Sequence, residues 1–404
     1  MNTYFWPSKR FMFERSIHAP FIAFALIALP LLSITAQDSR VSQLPEILER
    51  LDDESPDTRM EAANAIRRLG PQAISAAPKL IGMLEDTSIN SDGEPVAQYY
   101  SRALAGLGPL VVPELLEEIS TENNYQRSGI CEALHQLGPS SSAAVEILIP
   151  KMSEASKNDR WAYTYVFEGI GPKAAAAVPQ IIEQLDSEDF QLQLVSCRAL
   201  AAIGPKAKDA CPELLRLLDE GNLSVKGHAA MALGNIGIQP GLKIPENLAR
   251  TLEHPHFVVR ERVLEGIGRL GRDANVVLPT LENYMGDSKF NAPVDVALAY
   301  FRIGGEPQKA LDQLTEIASH FQNELEAVVA IGKMKTAAAP AIPMLIEKLD
   351  SEDPDVAYEA CFALAAIGDP KPAILEKLDE VSKSSDQFLA RGAKQAAFLL
   401  RAIK

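Results

Sequence analysis

The sequence predicts an all-α right-handed solenoid of about ten helix pairs, and three recurring positions predict it. Gly138, Gly171, Gly204, Gly237, Gly271 and Gly304 follow one another at intervals of 33, 33, 33, 34 and 33 residues. Gly70 and Gly108 precede this series, and Gly332 and Gly368 continue it at looser spacing. Eight residues after the glycine stands Pro78, Pro179, Pro212, Pro245, Pro279 or Pro340. Fifteen before it stands Ser55, Asn123, Ser156, Asp189, Asn222 or Asp353. A period of roughly 33 residues marks a stacked repeat in which each unit buries its apolar face on its neighbours. Such a stack accommodates 404 residues, 47% of them hydrophobic, without the size limit of a single compact core. Alanine is abundant and β-branched alternation is absent, which favours helices.

The first 36 residues stand apart. Lys9, Arg10 and Arg15 against Glu14 give them a net charge of +2, and residues 19–34 that follow carry no charge. Thr35 and Ala36 then precede Gln37. A basic flank, a short apolar run and a small residue at the junction make the pattern of a secretory signal peptide, cut after Ala36. The run is shorter than the ~20 residues of a comfortable membrane span and contains Pro30, so a retained anchor is the second reading. A start at Met12 would bring the basic flank to ordinary length. The expected division is therefore 1–36 as export signal or anchor and 37–404 as solenoid, with 386–404 as a terminal cap.

Residues 171–204 show how one repeat is made. Gly171 ends a helix in a conformation that a side chain would resist, and Pro172 stops the helix from continuing. Val178, Ile181, Ile182 and Leu185 form the apolar stripe of a first helix. The polar turn Asp186–Asp189 leads into a second helix, whose stripe is Leu192, Val195, Ala199, Leu200 and Ile203. Asp189 and its equivalents are N-cap residues, able to bond the free amides of the second helix. The acidic turns serve the same helix N-termini and lack the glycine and closing glutamate of a calcium loop. Residues 86–95 form a longer turn than the others. In the last segment Leu389, Ala393, Ala397 and Leu400 make the expected buried side.

The formal charge is −15 overall, hence −15 − 2 = −17 beyond the first 36 residues. Such a surface repels phosphate backbones and argues against nucleic-acid binding.

These features resemble the HEAT repeat family, most closely its bilin-lyase-type HEAT-like repeats within the armadillo-type superhelices. The resemblance covers about residues 41–404 and implies second helices lining a concave face that binds protein partners. It also brings two enzyme readings, an accessory lyase and an iron-dependent hydroxylase of the oxidoreductase class. The hydroxylases draw their metal ligands from His-Glu dipeptides, and this sequence has none: after His228 stands Ala229. No cofactor or metal is therefore expected.

Other reactive residues fall into the repeat grammar. Cys131, Cys197 and Cys361 each stand seven residues before a turn glycine, where other repeats carry small residues. They read, with Cys211, as buried small hydrophobes. Cys197 and Cys211 flank the Gly204 turn at equal distance, so a disulfide between them is a geometric possibility in an exported protein. His254 and His256 belong to a turn.

The remaining candidate is aromatic. Trp161 and Tyr165 lie one helical turn apart on the second helix of one repeat. In the neighbouring repeats Gln98 and Arg102, Ser128 and Glu132, and Leu194 and Arg198 occupy the same two positions, ten and six residues before the glycine. Stacked repeats would align them into a ridge with an aromatic centre and polar flanks, the composition of an interface hot spot. The expected function is an exported, non-enzymatic scaffold in the periplasm or cell envelope. Its expected partner is a protein, met through Trp161, Tyr165, Arg102, Gln98, Glu132 and Arg198, with membrane contact only through an uncleaved anchor.

Overall fold

The computed structural model describes residues 43–285, 292–320 and 323–403. Residues 1–36, expected as an export signal or anchor, lie outside the described residues. What is described is an all-α HEAT-like solenoid. Its first repeats are α1 (Leu44–Arg50) with α2 (Pro56–Leu69), α3 (Ala77–Met83) with α4 (Ala97–Gly106), and α5 (Val112–Glu118) with α6 (Asn124–Leu137). Then come α7 (Ala144–Met152) with α8 (Lys157–Ile170), α9 (Val178–Gln184) with α10 (Phe190–Ile203), and α11 (Cys211–Glu220) with α12 (Leu223–Ile236). Next are α13 (Ile244–Thr251) with α14 (Phe257–Leu270), α15 (Leu278–Tyr284) with α16 (Pro293–Arg302), and α17 (Pro307–Ala318) with α18 (Glu324–Lys333). The last are α19 (Ile342–Lys348) with α20 (Pro354–Ile367), and α21 (Pro372–Val381) with α22 (Gln387–Arg401). That makes eleven pairs among the described residues, in line with the expected number of about ten. A series of turns separates one more unit than it has members.

Local chemistry starts and stops the helices as the sequence predicts. Ser55, Asn123, Ser156, Asp189, Asn222 and Asp353 all accept backbone N–H groups at the starts of second helices. Gly204 has φ 70° and ψ −139°. That is a positive-φ region essentially reserved for glycine, rather than the left-handed helical one. From Gly204 a 3₁₀ segment runs to Ala210, and Pro212 then sits in the first turn of α11, where no amide is lost.

The turn after α18 departs from this pattern. Gly332 is inside the helix, where an added Cβ would lie 3.0 Å from the Cα of Ala363. The positive φ, 54°, falls on Lys335. Counted from Lys335, the repeat is regular again: Gly368 follows 33 residues later, and Pro343, eight on, opens α19 in place of Pro340. Lys335→Gly should therefore raise stability by about 0.5–1 kcal/mol, the left-handed penalty less the extra chain entropy of glycine. Denaturant unfolding of the two proteins checks it.

Apolar stripes close the core. Leu80, Leu148, Ile181, Leu214, Leu281 and Leu345, at one register position of the first helices, are fully buried. So are Ile66, Leu104, Leu134, Phe167, Leu200 and Leu233 at the matching position of the second helices. In α22 Ala393, Ala397 and Leu400 are buried as expected, whereas Leu389 is only half-buried. The four cysteines are buried free thiols, so the Cys197–Cys211 bridge is not formed. Burial pushes Cys197 up to about 12 and Cys211 up to about 11, which leaves both inert as nucleophiles.

Neighbouring second helices approach each other far more closely than neighbouring first helices do. The stack therefore bends toward the second helices, and the even-numbered helices form its concave side. No helix among the described residues is long and apolar enough to cross a membrane.

Candidate interaction ridge

Trp161 and Tyr165 arise from the helical spacing of α8, which carries Ala162, Val166, Phe167 and Ile170 into the core and turns positions 161 and 165 toward the concave side. Trp161 is 38% exposed, and Tyr165 is half-buried. Their rings stack with centroids 5.2 Å apart. On Tyr165 lies His135 of α6, with centroids 3.7 Å apart and planes 6° from parallel. His135 is fixed in turn, because its Nδ1 donates to the Tyr165 carbonyl at 2.7 Å. Gly169 permits this approach: a Cβ there would lie 2.4 Å from the His135 carbonyl oxygen.

Arg198 of α10 reaches over from the other side. Its guanidinium lies 5.9 Å from the Tyr165 ring centroid, within cation–π range, and holds Glu168 at 2.7 Å. One Glu168 oxygen takes both Arg198 bonds; the other, Oε2, is enclosed without a donor. Burial, with Glu132 and Glu168 close by, pushes the Tyr165 phenol above its ordinary range and keeps it a hydrogen-bond donor.

The remaining ridge positions are less joined. Arg102 donates to Gln98 at 3.0 Å and stands 5.1 Å from the Tyr99 ring centroid, a self-contained group on α4. Glu132 accepts from Gln136 at 2.6 Å. Leu194 departs from the expected ridge: it is buried, 7% exposed, because an apolar side chain at that position is enclosed in the packed second helices. The structure thus gathers Trp161, Tyr165, Glu132 and Arg198 around one aromatic centre and leaves Gln98 and Arg102 to one side. His135 and Glu168 were not singled out by the sequence. Their contacts span about one repeat, and the only signal would have been their fixed distance from the turn glycine.

Residues 178–243, from α9 to the approach of α13, match the family model of HEAT repeats. The repeats within those residues are HEAT-like. No curated protein matches the chain. Among solved structures, Kap121p bound to Nup53p aligns with a TM-score of 0.57 at 15% identity, over 92% of this chain and 50% of that one. A mutant form of Kap121p aligns at 0.40 and 14% identity, over 92% of this chain and 43% of that one. The chain thus spans about half the length of these Kap121p chains, and at 15% identity the likeness to the Nup53p-bound form is one of fold.

Proposed function

We propose that this HEAT-like solenoid is an exported, non-enzymatic scaffold that holds a protein partner against its concave side. The observation that carries the reading is Trp161, a large aromatic side chain 38% exposed on the concave side and immobilised by stacking on Tyr165. A rigid aromatic anchor costs little ordering on binding, and such residues dominate interface energy. Kap121p, whose fold is similar, is a solenoid seen bound to a protein, Nup53p. Export rests on the basic flank and the apolar run 19–34, and it places the scaffold in the periplasm or envelope.

Truncation tests the anchor. Trp161→Ala leaves the His135–Tyr165 stack in place, so helicity should persist while partner affinity falls by about 2 kcal/mol or more, some thirtyfold. Quantitative capture from the envelope fraction by both proteins reads this; equal recovery would remove the anchor. For export, Edman sequencing of the mature protein should begin at or near Gln37, and an intact Met1 or Met12 in a cytoplasmic product would remove that part.

A further inference from the structure

A second concave feature lies beyond the ridge, on α14, α16 and α18. A cavity of about 340 Å³ opens there. Its floor is Leu264, Leu298 and Ala299, and its walls carry charge of both signs. On the α14 wall the charges satisfy one another: Glu265 accepts from Arg269 at 2.6 Å and from Arg262 at 3.5 Å. On the other walls they do not. Asp295 and Arg302 of α16 and Lys333 of α18 have no opposite charge within ion-pairing distance among the described residues.

The α16 helix itself keeps Asp295 and Arg302 apart. They are seven residues apart on one face, an axial rise of about 10.5 Å. A carboxylate therefore stands toward one end of the cavity and Arg302 toward the other, with Lys333 of α18 on the facing wall within charge range of both. Burial pushes Asp295 up to about 6, with Glu261 adding to it, and burial lowers both Arg302 and Lys333. Lys333 and Arg302 draw Asp295 down and Glu265 and Asp295 raise Arg302, but only at longer range, so all three groups have given up hydration without a direct ion pair, which a bound ligand of matching charge would supply.

We propose that this cavity binds a small zwitterion of the α-amino-acid class, with its carboxylate between Arg302 and Lys333 and its ammonium on Asp295. A simple anion would leave Asp295 unpaired and face Glu261. A simple cation would leave Arg302 and Lys333 unpaired. Only a ligand with separated charges of both signs satisfies the two ends together. Arg302 suits a carboxylate through its planar fork. The apolar floor receives a small side chain, and the volume lies at the low end of ligand pockets, large enough for an amino acid or a dipeptide. This site is independent of the aromatic ridge, and neither reading depends on the other.

Calorimetry and thermal unfolding of the purified protein with each standard amino acid and with glycylglycine test the proposal, with acetate and methylammonium as singly charged comparators. At least one zwitterion should bind and raise the melting temperature, and the comparators should not. Arg302→Gln and Asp295→Asn remove unpaired charges, so they should keep full helicity and each weaken binding tenfold or more; Lys333→Gln provides a third variant should either fail to fold. Asp295 faces Glu261 and Glu265 of α14, Arg302 of its own helix and Lys333 of α18. Its protonation should make binding fall as the pH drops below about 6. No binding by any zwitterion at millimolar concentration would overturn the proposal. So would binding that survives the variants unchanged, or acetate binding equally well.

Discussion

Gly266→Ala is expected to destabilise the protein by about 1–2 kcal/mol, although alanine is the better helix former. An added Cβ on Gly266 would lie 2.4 Å from the Ala230 carbonyl oxygen, and one on Gly234 would lie 2.4 Å from that of Gly266. The two glycines are therefore what lets α12 and α14 touch backbone to backbone. Helix propensity would return up to about 1 kcal/mol. Overpacking against a backbone atom that cannot rotate away costs about 1–3 kcal/mol or more, and here it should exceed that return. The damage should stay local, since a solenoid repeat leans only on its neighbours. Hydrogen exchange should rise in α12 and α14 and remain unchanged in α2 and α20. A uniform rise along the chain would contradict the one-dimensional picture.

The second large loss is expected from Asp86→Ala. Asp86 closes the long turn between α3 and α4, taking Arg59 at 3.0 Å and the Tyr100 hydroxyl at 3.0 Å while accepting the Ser88 amide at 2.9 Å. Removing it takes the counter-charge from a largely buried guanidinium, which keeps the Asp53 and Glu54 carbonyls and the Ser88 hydroxyl, and strands a buried phenol, at a cost of about 2–3 kcal/mol by denaturant unfolding. Burial pushes the Asp86 carboxyl up, but the Ser88 and Tyr100 donors and the Arg59 charge outweigh it and hold the group below the ordinary carboxylate range. Its stabilisation is thus present above the unfolded carboxylate value of about 4 and is lost as the pH falls through the lower folded value. The variant should show a weaker acid dependence than the parent protein as the pH falls below about 4. An unaltered acid profile would show that Asp86 is not held in this way.

Features set by a few neighbouring residues were legible in the sequence. N-caps at Asn222 or Asp189, and prolines in the first turns at Pro179 or Pro212, act within one helical turn, so type and spacing reveal them. The turn at Lys335 was hidden because lysine does not advertise a positive φ, and Gly332 close by offered a false register. The His135–Tyr165 stack, the Gly234–Gly266 approach and the empty walls of the Asp295 cavity were hidden for another reason. Each joins residues about one repeat apart, and the repeat fixes their alignment without saying which side chains meet. The burial of Leu194 belongs with these, since a ridge position is exposed or enclosed according to its neighbours on both sides.

The aromatic ridge as a protein-binding surface is tested most directly by photo-crosslinking in the cell. A benzoylphenylalanine at position 161 is compared with one at 147, since Ile147 is 38% exposed on the first helix of the same repeat. The two probes differ in facing the concave or the outer side of one unit. A discrete protein adduct from position 161 and none from 147 is the predicted result. No adduct from 161, or the same adducts from both positions, would contradict the claim.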